Sequence, residues 1–159
     1  MGKLIVLEGL DGSGKSTQLS LLEEALTRRG YKFKTVSFPE YNLPSCEPVK
    51  MYLAGEFGTN PNDVNAYAAS LFYAVDRFAS FKKEWCDFYN NGGLILAGRY
   101  TTSNAIHQTS KLDKKEWGIY YPPTLYSNYA KDGVDGSGFL TTFSNPVAVI
   151  PVGESGYKC

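Results

Sequence analysis

The run Glu8-Gly9-Leu10-Asp11-Gly12-Ser13-Gly14-Lys15-Ser16-Thr17 has the residue types of an anion receptor. Gly9, Gly14, Lys15 and Ser16 fit the spacing G-x-x-x-x-G-K-[ST] in full. Glycines let a loop curl until several backbone N–H groups point inward at one anion. A helix beginning near Lys15 adds the positive end of its dipole. Lys15 brings a mobile point charge suited to terminal phosphates, and the Ser16 hydroxyl is a hard oxygen ligand of the kind Mg²⁺ accepts. The surroundings agree: Lys3-Leu4-Ile5-Val6-Leu7 reads as a strand before the loop, and Leu19, Leu22 and Leu26 form an amphipathic stripe after it.

A phosphate receptor needs a second group before any reaction is defined, and cations are few. Arginine occurs only at 28, 29, 77 and 99. Arg28 and Arg29 sit at the end of the first helix pattern, where they complement its dipole and face solvent. Arg99 follows a short apolar run that reads as a strand. In open α/β sheets the ligand crevice lies beyond the carboxyl ends of the strands, which puts Arg99 beside the phosphate loop. Arg77 lies on a long helix pattern, one turn after Tyr73. Two readings stand for that pair: a clamp in which one side chain holds a phosphate and the other stacks on a base, or an exposed arginine beside a core tyrosine. Asp11 is a carboxylate inside an anion loop, which makes sense if it faces a sugar hydroxyl. Phe38-Pro39-Glu40 follows the second strand pattern, again at a carboxyl end. His107, the only histidine, has no nucleophile or metal partner in the pattern and reads as local structure. Cys46, Cys86 and Cys159 are odd in number, widely spaced and without metal-ligand spacing, so buried or idle thiols in a reducing compartment are expected.

The elements that must position these groups alternate. Strands are expected over 3–8, 31–38 and 94–97, and a first helix from Ser16 to Arg29, with Gly30 as its stop. Ser45 is a candidate cap for a short helix ending at Ala54. A long helix is expected after Pro61, with Tyr67, Leu71, Ala74, Phe78, Phe81 and Trp85 as its buried stripe. Leu94-Ile95-Leu96-Ala97, apolar throughout and bounded by glycines, suits a central parallel strand. Asp113 and Glu116 have the spacing of a capping box for one more helix. Strands alternating with helices imply right-handed crossovers and a parallel sheet.

With 159 residues, 43% hydrophobic and 20% charged, the chain has the length and composition of one ordinary domain. A net charge of zero argues against a general nucleic-acid or membrane-surface binder, so a phosphate must be gripped locally. No apolar run is long enough to span a membrane, and the first residues lack the shape of a signal peptide. Residues 118–159 carry only Lys131, Asp132, Asp135, Glu154 and Lys158 as charges and are rich in Gly, Ser, Thr and Tyr, with Val147-Ala148-Val149-Ile150 as one possible strand.

Taken in order, Leu7 to Thr17, Phe38-Pro39-Glu40, Leu71-Phe72-Tyr73-Ala74-Val75-Asp76-Arg77 and Arg99-Tyr100-Thr101-Thr102-Ser103 resemble the thymidylate kinase family over about residues 1–117. The resemblance implies an α/β fold, a three-layer α/β/α sandwich on a parallel sheet of the P-loop NTPase kinase type, incomplete on its C-terminal side. It implies a kinase core over 1–117 and an unassigned tail over 118–159. The implied reaction is in-line transfer of the ATP γ-phosphoryl group to dTMP, giving dTDP. Gly9, Leu10, Asp11, Gly12, Ser13, Gly14, Lys15, Ser16 and Thr17 would hold ATP, with Ser16 on Mg²⁺. Asp11 would meet the 3′-hydroxyl of the acceptor sugar, and Phe38 and Tyr73 would flank thymine. Arg77 and Arg99 would hold the dTMP phosphate, with Tyr100 and Ser103 near sugar and base. Lys15 and Arg99 would be the catalytic cations. A cytoplasmic enzyme, with a homodimer as one option for its assembly and with no nucleic-acid or membrane partner, is expected. The family has Asp-Arg-Tyr where this chain has Gly98-Arg99-Tyr100, and the chain has no arginine after Arg99, where the family's lid carries some. The competing readings are another P-loop nucleoside or nucleotide kinase, and an ATP-binding fragment without turnover.

Overall fold

The computed structural model describes residues 2–116. The expectations for residues 118–159, including a strand over 147–150, lie outside the described residues. Three parallel strands form the sheet: β1 (Lys3–Leu7), β2 (Phe33–Ser37) and β3 (Leu94–Gly98), in the order β1-β3-β2. Leu4 pairs with Ile95 and Val6 with Ala97, while Val36 meets Ala97 from the other side. The central position of β3 explains its composition. Successive residues of a strand point to opposite faces, and Ile95, Leu96, Ala97 and Gly98 are all buried, so both faces of the sheet are covered.

Leu4, Val6, Val36, Ile95 and Ala97 line one face with Phe38, Trp85 and Tyr89. The other face receives α1 (Lys15–Arg28): Leu19 approaches Gly98, and Thr35 donates to Glu23. This is the expected three-layer arrangement. α1 ends as its sequence requires. Gly30 takes φ 74°, Gly30 N–H donates to the Thr27 carbonyl, and Tyr31 N–H reaches back to Leu26 at 3.0 Å, a glycine-terminated Schellman motif.

The remaining helices are α2 (Glu47–Leu53), α3 (Ala66–Ser80), α4 (Cys86–Asn90) and α5 (Thr101–Thr109). Ser45 does not cap α2. It lies in a short 3₁₀ turn, Pro44–Cys46, and its hydroxyl donates to Asp76. α3 starts at Ala66, later than Pro61 suggests, because the Asn65 carboxamide accepts Ala68 N–H at 2.8 Å and caps it there. Asp113 N–H donates to Glu116 at 3.2 Å, half of the expected capping box, ahead of a single 3₁₀ turn, Lys114–Glu116.

The buried stripe expected on the long helix needs correction. Tyr67, Leu71, Ala74 and Phe78 face outward, and the buried positions of α3 are Ala66, Ala69, Asp76 and Ser80. Small and polar residues go inward because this face packs closely on α5 and on the segment before α2. The helix then passes through a π-helical turn, Phe81–Trp85, before α4. Phe78 and Trp85 are seven residues apart and would share a face in an unbroken α-helix. The wider turn rotates the register, so Phe78 is exposed whereas Trp85 enters the core, edge-on to Phe81 at 4.6 Å. Cys46 is a fully buried free thiol. Cys86 is buried too, with Asn90 Nδ2 donating to its Sγ at 3.6 Å.

Candidate active site

The carboxyl ends of all three strands open onto one cleft of about 650 Å³. Asp11, Gly12, Gly14, Lys15, Ser16 and Thr17 line one side, with Ser37, Phe38, Pro39, Glu40, Tyr41 and Asn42 opposite; Gly98 and Arg99 form the floor. The loop between β1 and α1 wraps as an anion nest requires. Gly14 is the N-terminal flank of α1 at φ 83°, a conformation most side chains avoid. A Cβ on Gly9 would stand 2.6 Å from the Ser13 hydroxyl, which would have to turn away to admit it. Ser13 N–H closes a turn onto the Leu10 carbonyl at 3.2 Å, and Gln18 N–H starts the helix on Gly14 at 3.0 Å. Gly9, Leu10 and Ser13 thus shape the loop without lining the cleft. The Lys15 ammonium donates to the Leu10 carbonyl. Partial burial first, and the nearby Arg99 charge second, draw its pKa below that of an ordinary lysine.

Arg99 reaches across the strand ends. Its guanidinium pairs with Asp11 and donates to the Ser103 hydroxyl at 3.3 Å. Its backbone has φ 67°, the left-handed region a residue with a side chain normally leaves to glycine. Its N–H also extends the sheet onto the Leu7 carbonyl at 3.0 Å. A strained backbone at a cleft floor marks a position held there by its surroundings.

One of those surroundings is Glu8, to which sequence reasoning gave no role. Its carboxylate accepts from Tyr100 N–H at 2.9 Å, Ser103 N–H at 3.1 Å and the hydroxyls of Thr102 and Ser103. The end of β1 therefore caps the start of α5 and fixes Tyr100 and Ser103 together. Phe38 is buried, its ring 5.7 Å from that of Tyr100. Arg77 lies with its guanidinium carbon 5.9 Å from the centre of the Tyr100 ring. Tyr73 stands edge-on to Tyr52 at 6.4 Å. Its phenol is pushed up to about 12 by burial first and by neighbouring Tyr52, Tyr41 and Cys46, while the Arg99 charge acts the other way. Two further polar atoms are buried without a hydrogen-bond partner: Asn104 Oδ1 and Gln108 Oε1, one helical turn apart on α5. Asn104 Nδ2 meets Ser70 of α3 at 3.2 Å, so these acceptors lie where α3 and α5 pack. Neither stands out in the sequence, because only burial gives them meaning.

No group of three or more His, Cys, Asp or Glu side chains able to hold a metal occurs among the described residues, and His107 is exposed. The Ser16 hydroxyl at the mouth of the nest still fits Mg²⁺, which keeps waters and takes most of its other ligands from substrate phosphates rather than from a protein cage.

A parallel sheet whose first strand turns through a glycine-rich, lysine-bearing loop into a helix, with an arginine across the strand ends, defines a P-loop nucleotide-phosphate-binding protein. Comparison with known proteins narrows this: the family model described as thymidylate kinase matches residues 7–119. A probable thymidylate kinase from Caldivirga maquilingensis is 30% identical over 113 residues, covering 71% of this chain and 53% of that one. The thymidylate kinase of Mycobacterium tuberculosis is 30% identical over 118 residues, covering 72% and 53%. The solved structure of a thymidylate kinase of broad substrate specificity from Candida albicans superposes with a TM-score of 0.56 at 31% identity, covering 71% of this chain and 46% of that one. The chain belongs to the thymidylate kinase family. It spans about half the length of the curated relatives it matches.

Proposed function

We propose that this protein transfers the γ-phosphoryl group of ATP to dTMP, giving dTDP. The observation that carries the reading is the cleft itself, in which a phosphate nest and Arg99 converge from the two ends of a chain segment of more than eighty residues. The loop amides and Lys15 hold the donor phosphates, and Ser16 is the protein ligand to Mg²⁺. Bound Mg²⁺ would neutralise charge on the transferring phosphoryl group. Arg99, with Arg77 behind the Tyr100 ring, takes the acceptor phosphate, and Asp11 accepts from the 3′-hydroxyl. Arg99 pairs with Asp11 across the cleft, so acceptor binding would exchange that ion pair for a phosphate on Arg99 and a hydroxyl on Asp11. Phe38 and Tyr73 flank the base, while Tyr100 and Ser103 face the sugar. Catalysis is then positioning plus charge neutralisation. The proposal includes a cytoplasmic setting; separately, no helix among the described residues is long and apolar enough to cross a membrane.

A coupled assay for ADP release tests this, with dTMP, thymidine, dAMP or no acceptor. ADP formation that depends on dTMP and yields dTDP supports the reading. Preference for thymidine moves the protein to another kinase specificity, and ADP release without any acceptor overturns phosphoryl transfer to a nucleotide. Gly98 favours one second reading, ATP binding without useful turnover. The position floors the cleft with no carboxylate where the family resemblance calls for aspartate. Removal of one such interaction costs about a hundredfold or more in rate. Calorimetric ATP binding with no dTDP formed would select that reading.

A further inference from the structure

Asp76 is the most fully buried charged residue of the described chain, at 0% exposure, and no role in binding or transfer falls to it above. No lysine or arginine forms an ion pair with it among the described salt bridges. Instead its Oδ2 accepts Glu40 N–H at 2.8 Å and its Oδ1 accepts the Ser45 hydroxyl at 3.4 Å. A buried carboxylate survives only where donors replace water, and these two both come from the segment that leaves β2. The first part of that segment, Phe38 to Asn42, which holds Glu40 but not Ser45, is one wall of the cleft. Asp76 also sits on α3 between Tyr73, one turn earlier, and Arg77, the next residue. It thus ties the wall that carries Phe38 to the helix that carries Tyr73 and Arg77.

We infer that Asp76 is a positioning residue for the acceptor: its bond to Glu40 N–H sets the spacing between Phe38 and the Tyr73–Arg77 helix, and so the width of the base slot. The inference rests on the proposed function, since it concerns the acceptor half of that site. The phosphate loop shares no hydrogen bond with Asp76, so the donor half is unaffected. Asp76→Asn keeps one carbonyl oxygen able to accept Glu40 N–H, and Asp76→Ala keeps none.

The test is calorimetric binding of dTMP and of ATP to the full chain, with KM and kcat for dTMP and the melting temperature of each variant. Wild-type binding of dTMP comes first: ATP binding without dTMP binding defeats the functional reading rather than this inference. With dTMP bound by the wild type, Asp76→Ala is expected to weaken dTMP at least tenfold and raise its KM alike, with ATP affinity unchanged. Asp76→Asn is expected to remain within threefold of wild type for both ligands. A structural role alone would lower the folded fraction and kcat while leaving KM intact, and that pattern overturns the inference, as does unchanged dTMP affinity in the alanine variant. Should Asp76→Ala not fold, Asp76→Asn decides. Near-wild-type dTMP affinity with a slowly exchanging Glu40 amide supports the hydrogen-bonded tether. A tenfold loss at unchanged melting temperature shows that the charge matters instead, and removes the tether.

Discussion

Arg99 combines a guanidinium aimed into the cleft with a left-handed backbone, and the two can be separated. Arg99→Gly removes both the side chain and a conformational penalty of about 1 kcal/mol or more, whereas Arg99→Ala removes only the side chain. The glycine variant is expected to melt above the alanine variant, and both should lose dTMP affinity by about thirty- to a hundredfold, the worth of a charge-assisted bond to phosphate. Equal melting temperatures would mean that the φ of 67° is not a strained state. Gly98 offers the reverse experiment. A Cβ there would meet the Ser37 hydroxyl at 3.2 Å and Leu19 Cδ2 at 3.5 Å, contacts a rotating hydroxyl can relieve. Gly98→Ala should therefore change stability by less than about 1 kcal/mol. Gly98→Asp should raise the transfer rate by about tenfold or more where the missing carboxylate limits turnover. At this scale the sequence was most legible where chemistry dictates both type and spacing: the glycines, Lys15 and Ser16 of the nest, and Arg99 at a strand end. Glu8 and Asp76 were not legible, because a carboxylate that accepts hydrogen bonds from a distant backbone looks in sequence like any surface acid.

Glu8 works on a whole element. Its carboxylate takes two backbone and two hydroxyl donors at the start of α5, with its charge against the positive end of the helix. Glu8→Ala leaves these donors unpaired and is expected to cost about 2–3 kcal/mol, a fall in melting temperature of roughly 5–10 °C. Glu8→Gln should retain most of that stability, and a thermal shift assay on the pair separates hydrogen bonding from charge. The packing of α3 on the segment before α2 carries a pH signature. Burial, reinforced by the negative Asp76, pushes the Cys46 thiol up from 9.0 to about 11. The folded chain then holds that proton more tightly than the unfolded chain. Its contribution, about 3 kcal/mol by the usual conversion, is complete below pH 9 and is lost as the pH rises through 11. Tyr73, pushed up to about 12, extends the same alkaline loss. The melting temperature should fall between pH 9 and 11 more steeply for wild type than for Cys46→Ala, and parallel curves would rule the thiol out as a cause. The strands and α1 were readable because hydrophobic period, glycine stops and loop spacing all agreed. The aromatic stripe of α3 misled because periodicity reports an apolar face and not what covers it, and a π turn resets the register without any sequence mark.

At the scale of the molecule, that face is left exposed among the described residues. Tyr67, Leu71, Val75 and Phe78 recur at helical spacing along α3, between 45% and 60% exposed. A soluble monomer rarely leaves so continuous an apolar stripe in water, since each such side chain gains about 1.5–3 kcal/mol from full burial. The stripe is on the opposite side of α3 from Asp76 and Ser80, which are buried within the subunit, so a partner could cover it without obstructing the cleft. A second copy of the chain is the occupant the family resemblance implies, and an α3-to-α3 contact about a twofold axis would bury the same four residues from each copy. Leu71 is the most exposed of the four, at 60%, and Leu71→Glu would set two carboxylates against each other across such an axis. Sedimentation velocity should give a dimer for wild type and a monomer for Leu71→Glu, with dTMP and ATP affinities unchanged because Leu71 touches neither wall of the cleft. A wild-type monomer at tens of micromolar would mean that the stripe serves something other than self-association. A Leu71→Glu dimer would move the interface off α3.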